Sequence, residues 1–173
     1  MRSQWIENDE VRHVLSALTT PNRLACEVSL ATGLRINDCL NLKTEQIKKQ
    51  RFSVCEQKTG KRRTVRIPKE LQKEILLQSG TVYAFQGRLN GRTPRTRQAV
   101  FKDLQRASKL FRIGRHISPH TMRKIYAVDE YRKDGNLKRV QRLLNHSSEA
   151  VTMVYALADQ LKTRRGVMKL PPS

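Results

Sequence analysis

Long apolar runs are missing from this sequence. No stretch approaches the roughly 18 consecutive apolar residues that span a bilayer, and Met1-Arg2-Ser3-Gln4-Trp5 lacks the apolar run of a signal peptide. The expectation is a soluble cytoplasmic protein with no membrane partner. Cysteine is scarce: Cys26, Cys39 and Cys55 are odd in number and show no Cys-x-x-Cys spacing. That argues against a disulfide framework and a zinc site, and predicts buried small hydrophobes. Clustered carboxylates of the kind that hold two metal ions are lacking too, and Thr59-Gly60-Lys61 has neither the earlier glycine nor the following Ser/Thr of a phosphate-binding loop. Neither a metal nor a nucleotide cofactor is implied. Acidic residues are few, 15 against 35 Lys plus Arg.

What remains is a strongly basic chain of 173 residues with a formal charge of +20. Such a surplus implies a polyanionic partner, because cations displace condensed counterions when they meet nucleic-acid phosphates. A membrane-surface helix would gather its basic residues beside an apolar face, whereas here they run the whole length. With 38% hydrophobic residues there is material for one ordinary core, which excludes collagen, mucin and wholesale disorder.

Periodicity predicts mostly helix. Asn8 reads as an N-cap before Val11, Val14, Leu15 and Leu18 at helical spacing. Pro21 then opens a second helix, with Leu24, Val28 and Ala31 on one face and Gly33 as its stop. A short helix runs through Leu40 and Leu42, and a short strand is expected near 44–48. From Arg51 the period becomes two: Phe52 and Val54, then Val65 and Ile67, flank Gly60 and read as a β-hairpin. Its tip, Lys58-Thr59-Gly60-Lys61-Arg62-Arg63, is basic.

A helix over 69–78 precedes a loop over 80–94, with an extended piece at 82–85. Val100, Leu104, Ala107 and Phe111 then predict the packed face of a helix whose other side is a basic stripe, Arg95, Lys102, Arg106 and Lys109. Beyond Pro119 come a helix to Lys133, a turn at Asp134-Gly135, a face of Leu137, Val140 and Leu144, a break at 145–148, and a last helix through Tyr155. The pattern is mainly α with a small antiparallel β-sheet, an α+β class.

Six side chains stand out: Arg35, Lys58, His120, Arg123, His146 and Tyr155. Taken singly, each has a structural reading. Arg35 reads as a helix C-cap, Lys58 as a solvated turn, the histidines as structural, and Tyr155, on a face with Val151 and Val154, as core. Their surroundings alter that. Ala31-Thr32-Gly33-Leu34-Arg35-Ile36-Asn37-Asp38 resembles the first-arginine motif of the tyrosine recombinase (phage integrase) family, with Asp38 as the acidic residue three positions on. The hairpin around Lys58 is similar to the family's lysine-bearing β-turn. His120-Thr121-Met122-Arg123 matches His-x-x-Arg, and Leu143-Leu144-Asn145-His146-Ser147-Ser148 resembles the segment before the family's nucleophile, which Tyr155 follows at nine residues from His146. Asn145 replaces the usual glycine, and Met122-Arg123-Lys124 replaces Leu-Arg-His.

The resemblance implies a tyrosine recombinase catalytic-domain fold over 1–160. It leaves 161–173 as a C-terminal tail that docks on a neighbouring subunit, and finds no room for the family's N-terminal core-binding domain. It implies a site-specific DNA integrase that works without metal or ATP. In that scheme Tyr155 is the nucleophile, Arg35, Arg123 and His146 bind the phosphate, and His120 is the base. Lys58, with Lys61 as substitute, is the acid, and Asp38 orients Arg35. The partner implied is a double-stranded DNA attachment site, bound as a homotetramer, in a prokaryotic or phage setting.

The basic stripe, with Lys61, Arg62, Arg63, Arg139 and Arg142, is expected at backbone phosphates. A type IB topoisomerase would use similar chemistry on one duplex. A non-enzymatic helix-turn-helix protein over 136–155 is the competing class, and it leaves Arg35, Lys58 and the Tyr155 spacing unexplained.

Overall fold

In the computed structural model, residues 8–114 and 116–144 are described. The chain divides into two compact units, Met1–Tyr126 and Ala127–Ser173.

The first unit begins with α1 (Asn8–Ser16) and α2 (Thr20–Thr32). The expected face of α1 is buried at Val11, Val14 and Leu15. Pro21 sits in the first turn of α2, where its missing N–H costs nothing. The cap for that helix comes from α6 (Arg97–Leu110). The Asp103 carboxylate accepts the Thr19 amide and hydroxyl, both at 2.9 Å, and the Asn22 side chain at 2.7 Å. At the other end Gly33 takes the left-handed conformation, φ +67°, and its amide closes the helix on the Ser29 carbonyl. Leu24, Ala25, Cys26 and Val28 are buried between these caps, each large one contributing about 1.5–3 kcal/mol through burial.

After α3 (Ile36–Leu40) the chain forms α4 (Thr44–Ile47) where a strand was expected. The Lys43 amide is capped by Gln46 Oε1 at 2.9 Å, and Gln46 Nε2 reaches the Ser53 carbonyl. These local side-chain bonds win over the β-branched ends of a four-residue segment. The antiparallel hairpin of β1 (Arg51–Cys55) and β2 (Arg62–Arg66) pairs Phe52 with Val65 and Val54 with Arg63. α5 (Lys69–Gln78) follows as anticipated. The loop after it carries an isolated bridge between Lys43 and Tyr83 rather than an extended piece over 82–85.

On α6, Val100, Leu104 and Ala107 are buried, but Phe111 is half exposed because the helix ends at Leu110 and Phe111 is its cap. Cys26 and Cys39 are buried, as expected. Cys55 is exposed instead, on the outward face of β1.

α7 (Pro119–Asp134) starts in the first unit and ends in the second. Gly135, φ +67°, turns the chain into α8 (Leu137–Leu143), which is capped by Asn136 accepting the Arg139 amide. Among the described residues there, Ala127, Val128, Val140 and Leu144 are buried and apolar. Among the described residues no helix is long and apolar enough to cross a membrane.

Candidate active site

Arg35 follows the left-handed turn at Gly33 and sits at the N-cap of α3 with extended backbone, φ −66° and ψ 146°. Its guanidinium Nη1 donates to Glu56 Oε2 at 2.5 Å. Glu56 is fully buried, and its second oxygen lies 3.7 Å from Arg63 Nε. A carboxylate deprived of water needs such cationic partners, since an unpaired buried charge is among the most costly features a fold can carry. Glu56 also starts the hairpin turn: its carbonyl accepts the Gly60 amide at 2.8 Å and its amide donates to Lys61 at 3.0 Å. Lys58 therefore lies on a turn whose first residue is bonded to Arg35.

Asp38 was expected to orient Arg35. Its Oδ1 instead accepts the Gln57 amide at 2.9 Å, tying α3 to the hairpin one residue before Lys58. Burial pushes its carboxyl above the usual 3.8, with Glu56 adding to that, while the Gln57 bond and the charges of Arg35 and Arg123 act the other way. The residue that grips Arg35 is Glu56, which the motif reading missed. Strand alternation carried the signal: Phe52, Val54 and Glu56 are two apart and all face inward.

Arg123 is 1% exposed, on the second turn of α7, and its Nη1 donates to the Gly33 carbonyl at 2.5 Å. His120, three residues earlier, is half-buried one turn away on the same helix. Arg63 Nη2 donates to the neighbouring Thr32 carbonyl. Two guanidiniums thus close the C-terminal end of α2, where free carbonyls and the helix dipole favour cations. Burial pushes the Arg63 guanidinium below its usual value, with Glu56 opposing.

The structure brings together Arg35, Asp38, Arg123 and the Lys58 turn, linked bond by bond through Gly33, Glu56 and Gln57. His146 and Tyr155 lie outside the described residues.

The cations expected at DNA divide in two. Lys61, Arg62, Lys102, Lys109 and Arg142 are exposed. Arg63 is turned inward, opposite Val54, and is a tie within the site rather than part of an outward tip. Arg95 donates Nε to Asn22 at 2.5 Å, Arg106 holds Asp103 and the Ala17 carbonyl, and Arg139 pairs with Glu130 and Asp134. These three bind partners within the protein, Arg106 while remaining exposed.

Comparison with known proteins gives a consistent answer. The model of the phage integrase family matches residues 4–161. A tyrosine recombinase of Thermosipho africanus is 31% identical over 169 residues, covering 91% of this chain and 59% of that protein. Among solved structures, XerA recombinase superposes with a TM-score of 0.70 at 22% identity, over 98% of this chain and 67% of that one. A lambda integrase dimer bound to a COC′ core site gives 0.72 at 23% identity, over 86% and 59%. The chain spans about three fifths of the length of its Thermosipho relative. The shared architecture is that of tyrosine recombinase catalytic domains.

Proposed function

The chain belongs to the phage integrase family of tyrosine recombinases, and on that premise we propose that residues 1–160 are a catalytic domain that cuts and rejoins DNA at specific sites. The observation that carries the reading is the convergence of Arg35, Arg123 and the Lys58 turn around Gly33 and Glu56. A planar guanidinium suits the non-bridging oxygens of a phosphodiester, which it can take as a bidentate fork.

In the proposed step the Tyr155 hydroxyl attacks the scissile phosphorus. A 3′-phosphotyrosyl bond forms and the bond to the 5′ oxygen breaks. His120 takes the phenolic proton, Lys58 gives one to the leaving oxygen, and His146 hydrogen-bonds the phosphate. Negative charge grows on the pentavalent phosphorus, where preorganised donors stabilise most. The covalent bond conserves the energy of the broken linkage, so the reverse attack by a 5′ hydroxyl reseals DNA without ATP. The partner is a DNA attachment site held by a homotetramer, with residues 161–173 docked on the neighbouring subunit.

A helix-turn-helix binder would leave the buried ion pair between Arg35 and Glu56 without purpose. The test is covalent capture. Wild type and Tyr155→Phe are incubated with nicked duplexes carrying a randomised core, and DNA–protein adducts that survive SDS are recovered and sequenced. Adducts with wild type alone support the proposal. Equal behaviour of the two proteins, or no adduct from wild type, rejects it.

A further inference from the structure

We propose that Glu56 is a positioning residue for DNA cleavage: its buried carboxylate holds the Arg35 guanidinium and, from the first position of the hairpin turn, fixes Arg35 relative to Lys58. The inference rests on the cleavage reaction proposed above and adds to it a residue outside the family motifs quoted for this chain.

Three observations carry it. Glu56 is wholly buried, so its charge is not a solvated one, and its Oε2 lies 2.5 Å from Arg35 Nη1. Arg35 sits on the non-helical residue before α3, and its long side chain carries several rotatable bonds whose freedom must be lost for it to act. Pinning one nitrogen fixes the plane of the guanidinium and removes that freedom before a phosphate arrives. Finally, Glu56 is bonded through its backbone to Gly60 and Lys61 and through Oε2 to the Thr59 hydroxyl at 3.3 Å. The carboxylate and the Lys58 turn therefore move as one piece. A shift of the hairpin pulls on Arg35, and a shift of Arg35 pulls on the hairpin.

The partners of the two carboxylates support a positioning role over a merely neutralising one. Both Glu56 oxygens are directed at arginines, whereas Asp38 binds a backbone amide. If charge balance were all that mattered, the exposed acceptor positions of the hairpin would serve without burying a carboxylate, which is costly unless its geometry is used.

The test measures single-turnover cleavage of a nicked duplex recovered in the capture above, together with DNA affinity, for wild type, Glu56→Gln and Arg35→Ala, and for the double variant. Glu56→Gln is expected to slow cleavage by about 10–100-fold, the usual loss when a group orienting a reactive side chain is changed, with Kd unaltered. In the Arg35→Ala background the same change should cost nothing further, because the residue acts through Arg35. A methylphosphonate at the scissile position, which removes charge from the phosphate, should shrink the Glu56→Gln defect, an effect that loss of folding would not produce.

Should Glu56→Gln not fold, Glu56→Asp takes its place, since it retains the charge and withdraws it from Arg35 by one methylene. Cleavage by a folded variant at the wild-type rate overturns the proposal, as does an undiminished loss in the Arg35→Ala background. A wild-type protein that captures no DNA overturns the cleavage reading itself, a different result from either.

Discussion

Arg123, almost without solvent exposure, donates Nη1 to the carbonyl of Gly33, two residues before Arg35. One arginine of the site is thereby anchored on the backbone that positions the other. Lysine in its place would keep the charge but lose the planar fork that serves the carbonyl and a phosphate together. Arg123→Lys is expected to lower the rate of covalent capture by about two to three decades, as when one preorganised donor is removed from an anionic transition state. DNA affinity should change little. Single-turnover capture beside a filter-binding titration checks this, and near-normal cleavage by the variant contradicts it.

Asp38 makes a prediction about pH. Its folded-state pKa is raised, chiefly by burial, so the neutral form favours folding. The contribution is present below the ordinary carboxylate value of 3.8 and is lost as pH rises through the raised folded value. Asparagine can still accept the Gln57 amide and carries no charge. Asp38→Asn should therefore melt at or above the wild-type temperature at pH 7, with the gap closing as the solution is acidified past 3.8. A variant that melts lower at pH 7 rules this out.

Asp103 should behave in the opposite sense. Burial works to raise its pKa, but hydrogen bonds from Asn22, Thr19 and Arg106 outweigh it and hold the group below 3.8. Its contribution is present above that ordinary value and disappears as pH falls through the depressed one. Asp103→Asn is expected to cost about 1.5–3 kcal/mol at pH 7, the range for hydrogen bonds to a charged group. Urea denaturation should show the cost fading on acidification; a loss that does not vary with pH would assign it to packing.

Neighbouring arginines on β2 separate two kinds of cation. Arg62 is exposed, whereas Arg63 points inward to Glu56 and Thr32. Arg62→Ala should leave melting unchanged and, if the side chain meets a phosphate, lower the slope of log K against log salt by about one. Arg63→Ala should reduce stability by about 3–5 kcal/mol, because it strips a partner from a buried carboxylate. Salt titration of DNA binding and thermal melting of both variants decide the matter; reversal of the two effects would refute the assignment.

Most helices were legible because their apolar residues repeat at helical spacing and their ends carry Pro21, Gly33 or Gly135. The segment 44–47 was not, since four residues are too few to show a period and its conformation is set by the Gln46 side chain. Phe111 continued the α6 pattern by one step after the helix itself had ended. At the site, motif spacing picked out Arg35, Lys58, His120 and Arg123 as candidates, and the structure links Arg35, Arg123 and the Lys58 turn. Spacing could not tell which carboxylate would reach Arg35, because Asp38 is near in sequence and Glu56 is near only after the hairpin folds back. Arg63 was hidden in the same way: among three consecutive cations, only the strand register distinguishes the one that turns inward.

α2 is fastened at both ends, by Asp103 on α6 at its start and by Arg63 and Arg123 at its finish. At about 1.5 Å per residue its 13 residues form a strut of roughly 20 Å between those anchors. The helix works as a spacer: its length sets how far the Asp103 anchor at its start stands from the Arg63 and Arg123 anchors at its end. Adding or deleting one residue would turn one anchor against the other by about 100°. The length of α2 therefore decides whether the two anchors can be engaged together.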